Sequence, residues 1–547
     1  MTKPRNRWIG LVFISMAISL VIIDGTIVNT IFPKVIEALK LTSTQVQWVQ
    51  ESYVLVFASL LLVWGSVADR IGRKRLLIIG ILIFVAASVW AGYSNDANAM
   101  ILARILQGIG GSMVLPTTLS LVNANFQGKE RGAAFAVWGA TIGGMVAVGP
   151  VLGGWLATSF GHDGWRLAFN INLPLGLLVV AGLAYFVAES KQDHREGGID
   201  IVGAGISVIM FLTLVFGLIE GRVYGWWLVT KNQFVLGDFK WATEGISIIP
   251  VSLAISLVAF VAFVLWERAR DKAHKNVLLD LDLFKIRSFR NGSIAALIIS
   301  MGEFGILFAI PLWLQNVQGL SPVDSGLVLL WLAGGAFVAS GISGALSGKI
   351  SPVLAVRAGV VLETLAVAGI AIFATPSATW GTFAPFLFVY GLGIGLATAQ
   401  LTGVIMVDVP MEKTGQGSGS QSTVRQIGSA LGIAVLGTFL FSITTSSVDA
   451  NLTKVNTPPT GWYVPVDPAK PMGPKVSVTD AVVDSAGGAI PGLKFLGADA
   501  QAAAADGFTS GVSGSAWAAA GFLALGAIST LGLGSIAERK EKAKKKA

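Results

Sequence analysis

The 547-residue chain contains no cysteine, which excludes disulfide scaffolds, thiol nucleophiles and Cys-ligated zinc or iron–sulfur centres. Histidine is almost as scarce. His162, His194 and His274 are the only three, and all fall in polar segments, so His-based catalysis and a buried His metal cluster lack material. Charge is the third shortage. Only 13% of residues are Asp, Glu, Lys or Arg, against about 25% in a water-soluble chain, where charge covers the surface. What is abundant is apolar: 53% of the residues are hydrophobic, many in long runs, and 66 are glycine. The solvent for much of such a chain is lipid.

A helix needs about 20 mainly apolar residues to cross the hydrocarbon layer. The expected spans are 8–32, 46–68, 75–94, 98–123, 132–157, 167–188, 199–219, 246–266, 291–315, 323–346, 351–373, 381–406, 418–444 and 514–537, fourteen in all. The first follows Lys3, Arg5 and Arg7, but it is too long for a signal peptide, has no small-residue cleavage site and leads into further spans. An even count puts both termini on one side. If that side is the cytoplasm, 27 of the 39 Lys and Arg are internal and 10 external, the remaining two lying within spans. The positive-inside rule selects this orientation. The net charge of +8 therefore records topology and not nucleic-acid binding.

Two long stretches interrupt the spans. Residues 445–513 hold seven prolines and read as a solvated external connector, with a short hairpin available between 461–465 and 476–478. Residues 267–290 are internal and contain the amphipathic Leu278-Leu-Asp-Leu-Asp-Leu-Phe284, which suits a linker lying along the membrane surface.

The chain also repeats itself. At an offset of 279, Gly65-Ser-Val-Ala-Asp-Arg-Ile71 aligns with Gly344-Ala-Leu-Ser-Gly-Lys-Ile350, and the same shift carries Asp24 onto Glu303. Duplicated halves are common in transporters. The expected organisation is a six-helix bundle over 1–190, two inserted helices and a cytoplasmic linker over 191–290, and a second six-helix bundle over 291–547 carrying the external loop.

Several motifs carry physical content. Gly65, Asp69, Arg70, Gly72, Arg73 and Lys74 place a carboxylate among cations at a helix end, a cluster able to hold two helix ends together in one state and release them in another. Arg104, Gln107 and Gly108 put a charge inside the fourth span, which is costly and marks a paired or functional site. Gly149-Pro150 with Gly153-Gly154 in the fifth span removes a backbone donor and permits bending and close helix approach.

These segments resemble the major facilitator superfamily. Gly65 to Arg75 is similar to its G-x-L-A-D-R-x-G-R-K loop, departing at Val67; Arg104 to Gly108 resembles its R-x-x-Q-G motif. Gly149 to Gly154 resembles the G-P-x-x-G-G motif of its antiporters, with Met145 where a glycine is usual. Asp24-Gly-Thr26-Ile-Val-Asn29-Thr-Ile-Phe-Pro33 and Ser422-Thr-Val-Arg425-Gln426-Ile-Gly428-Ser-Ala-Leu-Gly432 are similar to patterns of the fourteen-helix drug:proton antiporter branch. The resemblance implies an all-α integral membrane fold of 6 + 2 + 6 helices with both termini cytoplasmic, in a bacterial inner membrane. It further implies a monomer without cofactor, metal or nucleic-acid partner, surrounded by lipid and exchanging protons for small lipophilic, cationic substrates.

Charges within the spans are the candidate coupling residues. Asp24 lies about 14 Å below the outer end of its span and Arg104 about 9 Å below the end of its own, so the two can face each other. A carboxylate and an Arg that part and rejoin during a cycle release and take up a proton. Glu303 sits about 20 Å from the inner end of its span with no basic residue in that span, a lone carboxylate suited to a proton or to a cationic substrate. Glu363 is equally central but falls on an expected peripheral helix, and Arg425 lies near an inner helix end where it can snorkel.

The leading reading is thus a proton-driven exporter with Asp24, Arg104 and Glu303 in coupling, and Asp24 and Glu303 also facing substrate. Export of a metabolite, lipid, peptide or endogenous antibiotic by the same fold is the alternative, and a transport-inactive membrane sensor a further one. An ATPase is disfavoured: Gly344 to Ile350 is one residue short of a phosphate loop and has Ile where Ser or Thr would bind magnesium.

Overall fold

The computed structural model describes residues 6–533 apart from 40, 42, 127, 192–199, 231–232, 237–238, 274, 276, 346–349, 411–412, 456–462, 466–474 and 486. The described chain is helical: α1 (Arg7–Leu39), α2 (Ser43–Ile71), α3 (Arg73–Gly92), α4 (Ala97–Asn125), α5 (Gly128–Ser159), α6 (Gly164–Asn170), α7 (Asn172–Phe186), α8 (Ile201–Tyr224), α9 (Ile248–Lys272), α10 (Arg287–Asn316), α11 (Pro322–Ala345), α12 (Pro352–Phe373), α13 (Trp380–Met406), α14 (Thr414–Leu452), α15 (Val478–Asp484) and α16 (Ala498–Ser529). Among the described residues, eleven helices are long and apolar enough to cross a bilayer, and α2 and α11 carry the shorter apolar helical stretches Ser52–Leu61 and Val323–Ala339.

Local chemistry sets the helix ends. Asp96 caps α4 by accepting from the Ala99 N–H at 2.9 Å, and Asp200 caps α8 through the Gly203 N–H at 2.9 Å. Ser351 accepts from the Leu354 N–H at 3.2 Å ahead of Pro352 at the start of α12, where proline's missing donor costs nothing. The break between α6 and α7 at Ile171 sits beside Pro174, which cannot donate to the carbonyl of Asn170.

Apolar side chains collect into separate cores. Two clusters lie within the first seven helices and the residue that follows them, one from Leu11 to Val187 and one from Ile27 to Phe169. A larger cluster runs from Leu283 to Leu533. Helices α8 and α9 pair with each other, joined by Ser252 Oγ donating to Thr213 O at 2.7 Å and Ser256 Oγ to Met210 O at 2.9 Å, and α8 rests on α2 and α14. The outer face of α9 exposes Leu257, Val258 and Leu265, as a lipid-facing helix does. Contacts between the large cores run through α5 against α11 and α13, and α2 against α14.

The expected solvated connector is a packed element instead. Helix α14 continues to Leu452 and α16 begins at Ala498, so the segment between them is shorter than 445–513. Tyr463–Pro465 pairs antiparallel with Lys475–Ser477; residues 461 and 462 of the expected hairpin lie outside the described set. Downstream, Val478, Val482, Ile490 and Leu493 are buried, and Asp449 of α14 accepts from Thr479 Oγ1 at 2.5 Å. Four apolar residues without a clear period are a weak signal in sequence, yet enough to hold a short segment onto two protruding helices. The linker after α9 is buried in a similar way, through Leu278 and Leu283, with Asp280 paired to Lys413.

Candidate functional site

Within the first core, Asp24 of α1 is fully buried and opposes Arg104 of α4, which is 2% exposed. Arg104 Nη1 donates to Asp24 Oδ2 at 2.8 Å and to Gln107 Oε1 at 2.8 Å. Gln107 Nε2 donates to Asp24 Oδ1 at 2.7 Å, the i, i+3 spacing placing both donors on one face of α4. Asn172 of α7 adds Nδ2 to Asp24 Oδ1 at 3.0 Å and also reaches Ser88 Oγ at 2.8 Å. The guanidinium is further held by Nε donating to Val49 O at 3.3 Å and by the Tyr53 ring, whose centroid lies 4.2 Å away. Gly108 makes this approach possible, since a Cβ there would come within 2.8 Å of Tyr53 O. A desolvated ion pair repays its burial only when its remaining hydrogen-bonding capacity is met, and here groups on α2, α4 and α7 supply it, with Ser88 of α3 holding Asn172.

The second core also buries a carboxylate opposite an arginine. Glu303 of α10 lies 3.7 Å from Arg425 Nη2 of α14. Glu303 is therefore not alone as its span suggested, and Arg425 reaches inward to it from another helix. Tyr390 of α13 donates Oη to the Glu303 carbonyl at 3.1 Å. Glu363 of α12, on a helix expected to be peripheral, is fully buried with neither carboxyl oxygen bonded among the described residues. It packs on α13 where Gly393 leaves room for it: a Cβ there would meet Glu363 Cγ at 2.5 Å.

The loop between α2 and α3 docks onto the end of α7. Glu189 accepts from the backbone N–H of Lys74 at 3.0 Å and of Arg75 at 3.1 Å, capping α3. Arg73 donates from its backbone N–H to Ser190 O at 2.9 Å and from Nη1 to Ser190 Oγ at 3.2 Å, and Lys74 Nζ donates to Ala184 O at 2.7 Å. Gly72 has φ of 115°, and a Cβ would fall 2.6 Å from the Glu189 carboxyl carbon. The Asp69 side chain lies outside the described residues; Arg70 makes further interactions. Gly65 touches a glycine of the other half, Gly419 of α14, a Cβ on Gly65 coming 3.4 Å from its Cα.

In α5, Gly149 and Gly153 face α1 so closely that a Cβ on Gly149 would overlap Thr26 Oγ1 and one on Gly153 would lie 2.7 Å from Ile27 Cγ1. Gly154 is buried in the same turn. The opposite side of α5 meets Gly326 of α11, a Cβ on which would come 2.8 Å from Val151 Cα. Helix α5 stays continuous through Pro150. The glycines of α5 thus set its crossing with α1, and Gly326 of α11 sets the crossing of α5 with the second half. The second half repeats the device: Gly428 and Gly432 of α14 press on the Leu297 and Met301 backbone of α10, at the same offset of 279 from Gly149 and Gly153.

Asn172, Ser88, Tyr53, Glu189 and Tyr390 did not stand out in the sequence. Asn172 carried the one usable signal, a carboxamide inside an apolar run.

The family model described as Major Facilitator Superfamily matches residues 14–433. The chain is 30% identical over 442 residues to a tetracenomycin C resistance and export protein of Streptomyces glaucescens, covering 80% of this chain and 77% of the relative. It is 28% identical over 515 residues to the multidrug resistance protein Stp of Mycobacterium tuberculosis, covering 93% and 88%. In fold it is similar to a solved bacterial homologue of the human lysosomal transporter Spinster, with a TM-score of 0.58 at 17% identity over 98% of this chain and all of that one.

Proposed function

From the premise that the chain belongs to the major facilitator superfamily, in its multidrug efflux branch, and is a multi-pass membrane transporter of small substrates and not an enzyme, we propose that it is a proton-coupled exporter of lipophilic cations. The observation that carries this is the buried Asp24–Arg104–Gln107–Asn172 network. A carboxylate held by three donors inside the membrane domain is released only if something replaces their charge compensation, and a proton arriving on Asp24 does so. Alternating access then rocks the halves about the α5–α11 crossing, with the Gly65–Gly419 contact closing the cytoplasmic end.

In this reading fourteen helices span a bacterial inner membrane as 6 + 2 + 6, bounded at about residues 190 and 290, with both termini cytoplasmic and the protein a monomer. Glu303 faces the substrate or a second proton. The names of the relatives, antibiotic and multidrug exporters, support drug export. The alternative cargo, an antibiotic or metabolite made by the cell itself, is favoured by the likeness to the tetracenomycin C exporter.

Proton movement in proteoliposomes with low internal pH tests it, with tetraphenylphosphonium and a panel of other lipophilic cations added outside. Cation-triggered proton efflux that disappears in Asp24→Asn establishes antiport. Should folded wild type move no proton with any cation, the cation reading is abandoned in favour of neutral or anionic cargo.

A further inference from the structure

Glu363 is a buried acid that the coupling scheme above does not use. It lies on α12, is fully buried, and neither of its oxygens has a partner among the described residues. Nothing in its surroundings looks like a packing role for a carboxyl: a Gln or Leu fills the same volume without the cost of burying an acid. The space it occupies is made for it by Gly393 on α13, whose missing side chain admits the Glu363 stem.

One helical turn before Gly393, on the same face of α13, Tyr390 hydrogen bonds to the Glu303 backbone. That face therefore holds Glu303 of α10 on one side and Glu363 of α12 on the other. Among the described residues, the charged groups near enough to act on Glu363 are Glu303 and the Arg425 that opposes it. Helix α16, the other neighbour of α12, is joined to it by Ser513, whose hydroxyl donates to Ala371 O at 2.7 Å. Among the described residues Arg425 is thus the one cation near both carboxyls, and its contact with Glu303 is a long 3.7 Å.

We propose that Glu363 is a second proton-carrying carboxyl, which exchanges a proton with Glu303 as Arg425 shifts between them. The step balances with water as its only co-reactant. The O–H bond of the Glu363 acid breaks and an O–H bond forms on the Glu303 carboxylate; when a cation binds, Glu303 gives that proton to water, so one proton leaves the protein, and Arg425 stays cationic beside the carboxylate that remains. An acid without a hydrogen-bond partner keeps its proton in a dry interior and yields it only when charge compensation arrives. This inference rests on the proton-coupling reading.

The test combines two readouts on purified full-length protein. Infrared spectroscopy reports the C=O stretch of protonated carboxyls, and the pH dependence of tetraphenylphosphonium binding counts the linked protons, through the slope of log affinity against pH. Glu363→Gln is expected to lose a protonated-carboxyl band that survives in Asp24→Asn, and to make the slope one proton shallower. Glu363→Asp is expected to restore both, separating proton carriage from loss of fold. A band that persists in Glu363→Gln, or an unchanged slope, overturns the proposal while leaving coupling through Asp24 intact. A wild type with no slope overturns the coupling reading and this inference together, and the Asp24→Asn slope shows which proton is missing.

Discussion

The two halves solve the same electrostatic problem differently. Asp24 and Glu303 occupy equivalent positions at the offset of 279, and the glycine pairs 149/153 and 428/432 set α5 on α1 and α14 on α10 in the same manner. The arginines do not correspond. Arg104 comes from α4, whose repeat position in the second half is Phe383, whereas Arg425 comes from α14, whose repeat position in the first half is Val146. The first pair is closed at 2.8 Å with Gln107 and Asn172 around it; the second is open at 3.7 Å. Backbone packing is thus shared between the halves, and the counter-charge is placed separately in each. The closed pair is met by several further donors, while the open one is a long contact.

The largest expected effect contrasts the arginines. Arg104→Ala leaves a buried carboxylate without its counter-ion and without an intact three-donor network and is expected to cost about 3–5 kcal/mol, whereas Arg425→Ala removes a longer, looser contact from the buried Glu303 and should cost less, about 1–3 kcal/mol. Chemical or thermal unfolding in detergent measures both, and equal losses would end the distinction between a closed and an open pair. The glycines come next, and here the halves should agree. Gly149→Ala and Gly428→Ala each overpack a helix crossing and are expected to cost about 1–3 kcal/mol with loss of transport. A tolerated alanine at one site only would show that the shared packing is not shared in energy.

Comparable and then smaller effects sharpen the comparison. Asn172→Ala removes a donor from a charged acceptor and should cost about 1.5–3 kcal/mol, against about 0.5–1.5 kcal/mol for Tyr390→Phe, which removes a neutral bond to the Glu303 carbonyl. The paired stabilities, with proton efflux as a second readout, check that order. Least is expected of Glu189→Gln, which keeps a capping acceptor for α3 but weakens its charge, a change of about 0.3–1 kcal/mol. Salt should mask that difference, because the Arg75–Glu189 contact is 3.8 Å long and largely exposed.

Much of the fold was legible because lipid leaves few options: an apolar run of sufficient length must be helical to satisfy its own backbone. The Asp24–Arg104 pairing was legible for a related reason, since two charges at comparable depth in one bundle have few other partners. The same reasoning failed for Glu303, because depth was compared only within its own span and Arg425 arrives from α14. It said little about Glu363, because a helix that packs on α13 and α16 and exposes Val361 and Leu365 still buries its inner face. It failed for 478–496, where four scattered apolar residues decide burial and no period announces them.

By itself, then, the sequence determined the helical class, the repeat, the sites of close helix crossing and the cost of every intramembrane charge, because these depend on residue type and spacing along one chain. Only the tertiary structure decided which charges meet. Asn172, Tyr390, Glu189 and Arg425 acquire their roles from helices far away in sequence, and a hydrogen bond of about 3 Å is settled by packing between helices, which no periodicity within one of them encodes.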